Sequence, residues 1–105
     1  MSYRVQWSAS ALDRLIEILD FIAKDRPGAA VKVVDDIQAR VEILADFPRM
    51  GPVFSADSGP DIRRLILGNF IVVYQIREPK NEVSIIAVRD SRQRPLTLEE
   101  LLDEK

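Results

Sequence analysis

Ile62-Arg63-Arg64-Leu65-Ile66-Leu67-Gly68-Asn69-Phe70-Ile71-Val72-Val73-Tyr74-Gln75-Ile76 is the stretch whose reading decides the fold. Two runs rich in β-branched and aromatic residues flank Gly68-Asn69, a two-residue loop of the kind that supplies the positive φ a tight hairpin needs. That loop sets the register: Leu67 opposes Phe70, Leu65 opposes Val72 and Arg63 opposes Tyr74, all on one face of the sheet. The face with Leu65, Leu67, Phe70, Val72, Tyr74 and Ile76 is the more aromatic and is assigned to the core. The other carries Ile62, Arg64, Ile66, Ile71, Val73 and Gln75, which is strongly apolar for a surface unless something covers it. Two covers are open at this point: a helix from the chain's own tail, or a partner peptide lying on the sheet.

Downstream of the hairpin, Val83 to Val88 follows Pro79-Lys80-Asn81, so a third strand can complete an antiparallel meander. Upstream, Pro48 to Asp61 is rich in Pro, Gly, Ser and Asp with few apolar anchors and reads as a surface connection without regular structure. Before it stand two amphipathic helices. Leu12, Leu15, Ile16, Leu19, Ile22 and Ala23 keep the i, i+3, i+4, i+7 spacing of one helical face, with Ser8 or Ser10 as cap. Ile18 and Phe21 fall roughly opposite that stripe and are expected to be exposed, either without a role or as a contact for a second copy or an antitoxin. Asp25-Arg26-Pro27-Gly28 breaks the pattern. The second helix then buries Ala30, Val33, Val34, Ile37, Val41 and Leu44 and stops by Phe47-Pro48.

Tyr3 to Trp7 reads as a short strand, and Thr97-Leu98-Glu99-Glu100 has capping-box spacing ahead of Leu101-Leu102. The expected fold class is α+β: an N-terminal strand, an antiparallel helical hairpin packed on a three- to four-stranded antiparallel sheet, and a short C-terminal helix. One domain spans 1–105, with 96–105 as an acidic tail helix; no repeat or linker divides it.

The 105 residues are 47% hydrophobic and 30% charged, an ordinary globular composition. No cysteine is present, which removes disulfides and thiolate ligation and suits a reducing cytoplasm. No histidine is present either, so the usual acid–base side chain near neutral pH and the commonest metal ligand are missing. No phosphate-binding loop, dinucleotide motif, nucleophile elbow or zinc spacing occurs, and no cofactor or metal is expected. No apolar run approaches the roughly 20 residues of a membrane span, and no export signal is visible.

The net charge of −2 conceals an uneven distribution. Basic and acidic residues number seven and ten in 1–61, seven and three in 62–95, and one and four in 96–105. Arg63, Arg64, Arg77, Arg89, Arg92 and Arg94 make up most of the basic middle, with Arg89 to Arg94 at and beyond the end of the last strand. A polyanion or an acidic protein patch fits that cluster. So does neutralisation by the acidic tail.

The order of these pieces resembles the RelE/ParE superfamily of type II toxin–antitoxin toxins over roughly residues 3 to 95. The resemblance is carried by Ser8-Ala9-Ser10-Ala11-Leu12-Asp13-Arg14-Leu15, Ile18-Leu19-Asp20-Phe21-Ile22-Ala23, Pro27, Phe47-Pro48-Arg49-Met50-Gly51, Ile62-Arg63-Arg64-Leu65, Phe70 to Ile76 and Val83 to Arg89. It implies a genetically linked, cognate antitoxin that wraps and neutralises the chain, as a hetero-oligomer or around a homodimer. RelE-like members cut mRNA on the ribosome, with Lys, Arg and Tyr on the sheet face and the C-terminal segment. Here Ile71 stands where RelE carries an arginine, and Leu98 falls near its C-terminal tyrosine. Arg64 and Arg92 remain as the alternative catalytic pair, but arginine stays protonated and accepts no proton. Phe21-Ile22-Ala23 followed by Pro27 is closer to ParE, the plasmid-stabilisation type that poisons DNA gyrase without being a hydrolase.

The resemblance thus implies antitoxin contacts at Ile62, Arg64, Ile66, Ile71, Val73, Gln75 and Arg89, and target contacts at Arg89, Arg92 and Arg94. A RelE-like ribonuclease and a non-toxic, antitoxin-binding member are the alternatives.

Overall fold

The computed structural model describes residues 2–54 and 59–90. Elements follow in the order β1 (Arg4–Trp7), α1 (Ala9–Ala23), α2 (Pro27–Ile43), β2 (Asp61–Leu67), β3 (Phe70–Arg77) and β4 (Glu82–Asp90). The expected tail helix at 96–105 lies outside the described residues.

Ser8 caps α1, its hydroxyl accepting from the Ala11 N–H at 3.1 Å, which satisfies one of the donors a helix start leaves open. Pro27 opens α2 at its first position, where the missing N–H costs no helical bond. Between β2 and β3, Gly68 takes φ 62°, the positive value the two-residue turn demands of its first central position. The pairing that follows is the one the loop length dictates: Leu67 with Phe70, Leu65 with Val72, Arg63 with Tyr74.

The sheet order is β1-β4-β3-β2. β2, β3 and β4 form the antiparallel meander. β1 joins it parallel to β4, Arg4 opposite Glu82 and Trp7 opposite Ile85, so the sheet is mixed rather than purely antiparallel. A parallel neighbour needs a long crossover, and the two helices supply it. The β3–β4 register shifts after Val73, which pairs with Ala87 while Tyr74 pairs with Ile85. Ile86 is therefore an extra residue, and the bulge puts it on the same side of the sheet as Ala87.

The main core lies between helices and sheet, from Ala11 and Leu15 of α1, Ile37 and Val41 of α2 with Leu44 just beyond it, and Leu65, Val72, Tyr74, Ile76, Val83, Ile85 and Val88 of the sheet. The hairpin's aromatic face therefore points to the helices as the register requires.

The inward face of α1 differs from the expected stripe. Ala11, Leu15 and Ile18 pack on the core, whereas Leu12 and Ile16 are 45% and 50% exposed. Two overlapping stripes fit the helical period in this sequence. The one starting at the small Ala11 lets the helix approach the sheet most closely, and it is the one used. Phe21 is 73% exposed, as expected.

Candidate functional site

The second face of the sheet holds the residues with unassigned chemistry. Strand pairing orders them in rows: Ser84, Gln75 and Ile62; then Ala87, Val73 and Arg64; then Arg89, Ile71 and Ile66. Five of the seven residues expected to touch a partner (Arg64, Ile66, Ile71, Val73, Arg89) thus share two adjacent rows, with Ile62 and Gln75 in the next. Arg92 and Arg94 lie outside the described residues.

Not all of this face is open. Ile62 (1% exposed) and Val73 (2%) form a small second core with Ala87, against which Phe54, Ile71 and Ile86 pack. Ile62 and Val73 thus support the face from inside the chain and offer almost no area to a partner in this state. Part of the cover comes from the segment that reads as a bare connection in sequence. Val53 bridges Arg63 and the Phe54 N–H donates to the Ile62 carbonyl at 2.7 Å. The only sequence signal for this is the β-prone pair Val53-Phe54 within a loop-like composition.

The segment before Val53 is anchored by two side chains of the hairpin. The buried Tyr74 hydroxyl donates to the Pro48 carbonyl at 2.7 Å and accepts from the Gly51 N–H at 3.0 Å. The Arg63 guanidinium donates to the carbonyls of Arg49 and Gly51 at 3.1 and 3.0 Å and pairs with Asp61 at 3.0 Å. Burial pushes the Tyr74 phenol above its ordinary range, with the Gly51 hydrogen bond pulling the other way. Tyr74 is therefore a neutral structural donor, and Arg63 is removed from the set of arginines available to a ligand.

Arg64 is different. Its Nε is buried without a hydrogen-bond partner among the described residues, and its guanidinium sits 6.0 Å from the centre of the Phe54 ring, a cation–π distance. No carboxylate lies within ion-pair reach of it among the described residues. The two rows through Arg64 and Arg89 contain no carboxylate, tyrosine or lysine, so they present positive charge and apolar surface without a group to take or give a proton near neutral pH. Among the described residues no group of three potential metal ligands occurs, and no helix is long and apolar enough to cross a membrane.

A second concavity lies on the other side of the sheet. Ile18, Phe21, Ile22, Ala29, Val33 and Phe70 line a cavity of about 780 Å³ between the helices and the hairpin tip, and Val33, Asn69 and Phe70 are shared with a neighbour of about 590 Å³. Its charged rim carries both signs, including the Arg14–Glu17 pair at 3.1 Å.

Comparison with known proteins places this geometry. Residues 5–95 match the model of the ParE toxin of type II toxin–antitoxin system, parDE. A protein of Sinorhizobium fredii described as "Putative toxin Y4kP" is 36% identical over 92 residues, covering 86% of this chain and 90% of that protein. Among solved structures, the chromosomal ParDE toxin–antitoxin system from P. aeruginosa superposes with a TM-score of 0.70 at 23% identity, over 85% of this chain and 96% of that one. A doubly substituted E. coli toxin RelE in the free state gives 0.64 at 17% identity, over 99% and 94%.

Proposed function

The chain belongs to the ParE toxin family of type II toxin–antitoxin systems, and from that premise we propose that it is held inactive by a cognate antitoxin and, when released, poisons DNA gyrase by binding rather than by cutting RNA. The observation that carries this reading is the pair of rows through Arg64 and Arg89, where Ala87, Val73, Ile71 and Ile66 stand around the two arginines. RNA cleavage through the 2′-hydroxyl needs a proton acceptor and a proton donor beside the phosphate. Arginine supplies neither, though it holds anions well. Ile71, on the central strand of the meander, occupies the position at which RelE-like toxins carry an arginine.

In this reading Arg64, Ile66, Ile71 and Gln75 contact the antitoxin on the second face. Arg89, with Arg92 and Arg94 a few positions on, forms the basic run that meets the target. The experiment is expression from a tight inducible promoter, alone and together with the small reading frame beside the gene. Growth arrest with DNA damage in the first case and rescue in the second is expected. Arrest with cut messages and undamaged DNA contradicts the gyrase reading in favour of RelE-like cleavage. No arrest at all marks a member that binds its antitoxin and poisons nothing.

A further inference from the structure

β2 is an edge strand of which the chain itself uses only half. It lies outermost in the sheet, beside β3. Along its free side the stretch Pro52 to Phe54 runs antiparallel: the Phe54 N–H donates to the Ile62 carbonyl at 2.7 Å, and the Arg64 N–H donates to the Pro52 carbonyl at 3.2 Å. The ladder stops there for two reasons. Pro52 has no N–H with which to answer the Arg64 carbonyl, and Gly51 turns inward to give its N–H to Tyr74.

Backbone groups alternate between the two sides of a strand. Leu65 and Leu67 bond to Val72 and Phe70 of β3; Ile62 and Arg64 face out, and so therefore does Ile66. Its N–H and C=O have no partner among the described residues, and its side chain is 61% exposed. An unpaired edge of this kind is a template for another strand. Beside it on the second face are an apolar step, Ile66 with its neighbour Ile71, and the Arg64 guanidinium, held against Phe54 with its Nε unpartnered.

We propose that an extended segment of the antitoxin adds to the free edge of β2 as a fifth strand, taking over where Pro52 leaves off. Its backbone bonds to the N–H and C=O of Ile66. Side chains two apart lie on the same face of a strand, so the segment presents a carboxylate to Arg64 and, two positions away, an apolar side chain to Ile66 and Ile71. The inference rests on the antitoxin reading above and adds to it the conformation of the partner and the residues that receive it.

The test uses the full chain and the protein encoded by the neighbouring reading frame. Amide hydrogen exchange at Ile66 is measured free and with that protein added, and binding is compared between the native chain and Ile66→Pro. Proline is tolerated at an edge position whose N–H faces outward, and it removes only that donor. Slowed exchange at Ile66 on binding, with affinity about tenfold weaker for Ile66→Pro, is expected from the loss of one backbone bond. Arg64→Gln is expected to weaken binding by a similar factor. If Ile66→Pro fails to fold, the exchange measurement on the native chain decides alone. Binding with unchanged Ile66 exchange overturns the added strand and leaves the antitoxin reading standing. Absence of any binding overturns both.

Discussion

Tyr74 shows how one side chain in the hairpin disposes a whole segment. Its hydroxyl is the partner of the Gly51 N–H and of the Pro48 carbonyl, so Tyr74→Phe leaves both buried groups unanswered. A loss of about 1–3 kcal/mol in denaturant unfolding is expected, the usual cost of stranding such groups. Tyr74 also links stability to alkaline pH. Its folded pKa is raised above the ordinary 10.0, so above that pH the unfolded chain releases the proton first and folding loses ground. The stability is fully present below about pH 10 and falls as pH rises past it. Tyr74→Phe is expected to lack that share of the alkaline loss, as read from unfolding curves taken across the range. Gly51 shows the same crowding from the other side: a Cβ there would stand 2.4 Å from the Arg64 carbonyl oxygen and 2.7 Å from the Tyr74 hydroxyl. Gly51→Ala is therefore expected to cost roughly 1–3 kcal/mol, because the obstacle is backbone and has to move. Neither contact is legible in sequence, where Tyr74 reads only as a core residue and Gly51 as one of several loop residues; both depend on residues more than 20 positions apart meeting in space.

At the scale of elements, what the sequence reveals is what local periodicity encodes. The hairpin register, both helices and the inward face of α2 follow from spacings of two and of three to four residues, because those spacings are properties of the backbone. Helix α1 exposes the limit. Its apolar residues cover more than one stripe, and which stripe is buried depends on how closely the helix approaches β4, a tertiary matter. The consequence is measurable. Leu15→Ala removes a side chain from the main core and is expected to cost about 2–5 kcal/mol. Leu12→Gln and Ile16→Gln, at half-exposed positions, are expected to stay within about 0.5 kcal/mol of the native chain in the same unfolding assay. A reversed order would mean that the helix turns its other stripe to the sheet. β1 marks a second limit. Its four residues pair with 82–85, and no local pattern in Arg4 to Trp7 names that neighbour or the parallel sense.

For the whole molecule, the two sides of one sheet have separate roles. The side under the helices supplies the main core, and the other carries arginines and isoleucines around a small second core partly closed by Phe54. The candidate site was legible as a set, since alternation alone sorts Ile62, Arg64, Ile66, Ile71, Val73 and Gln75 onto that side. Which of them remain accessible was not, because the cover comes from a loop whose composition conceals a strand-like pairing. The sorting still bears on function: the open rows hold anion-binding and apolar groups but no proton-transfer group, so the chain is suited to gripping a partner. Purified chain added to DNA gyrase and plasmid in a supercoiling assay tests this most directly. The expected result is gyrase-dependent accumulation of cleaved plasmid that disappears when the neighbouring frame's protein is added; undisturbed supercoiling, with ribosome-bound mRNA cut by the same preparation, would contradict it.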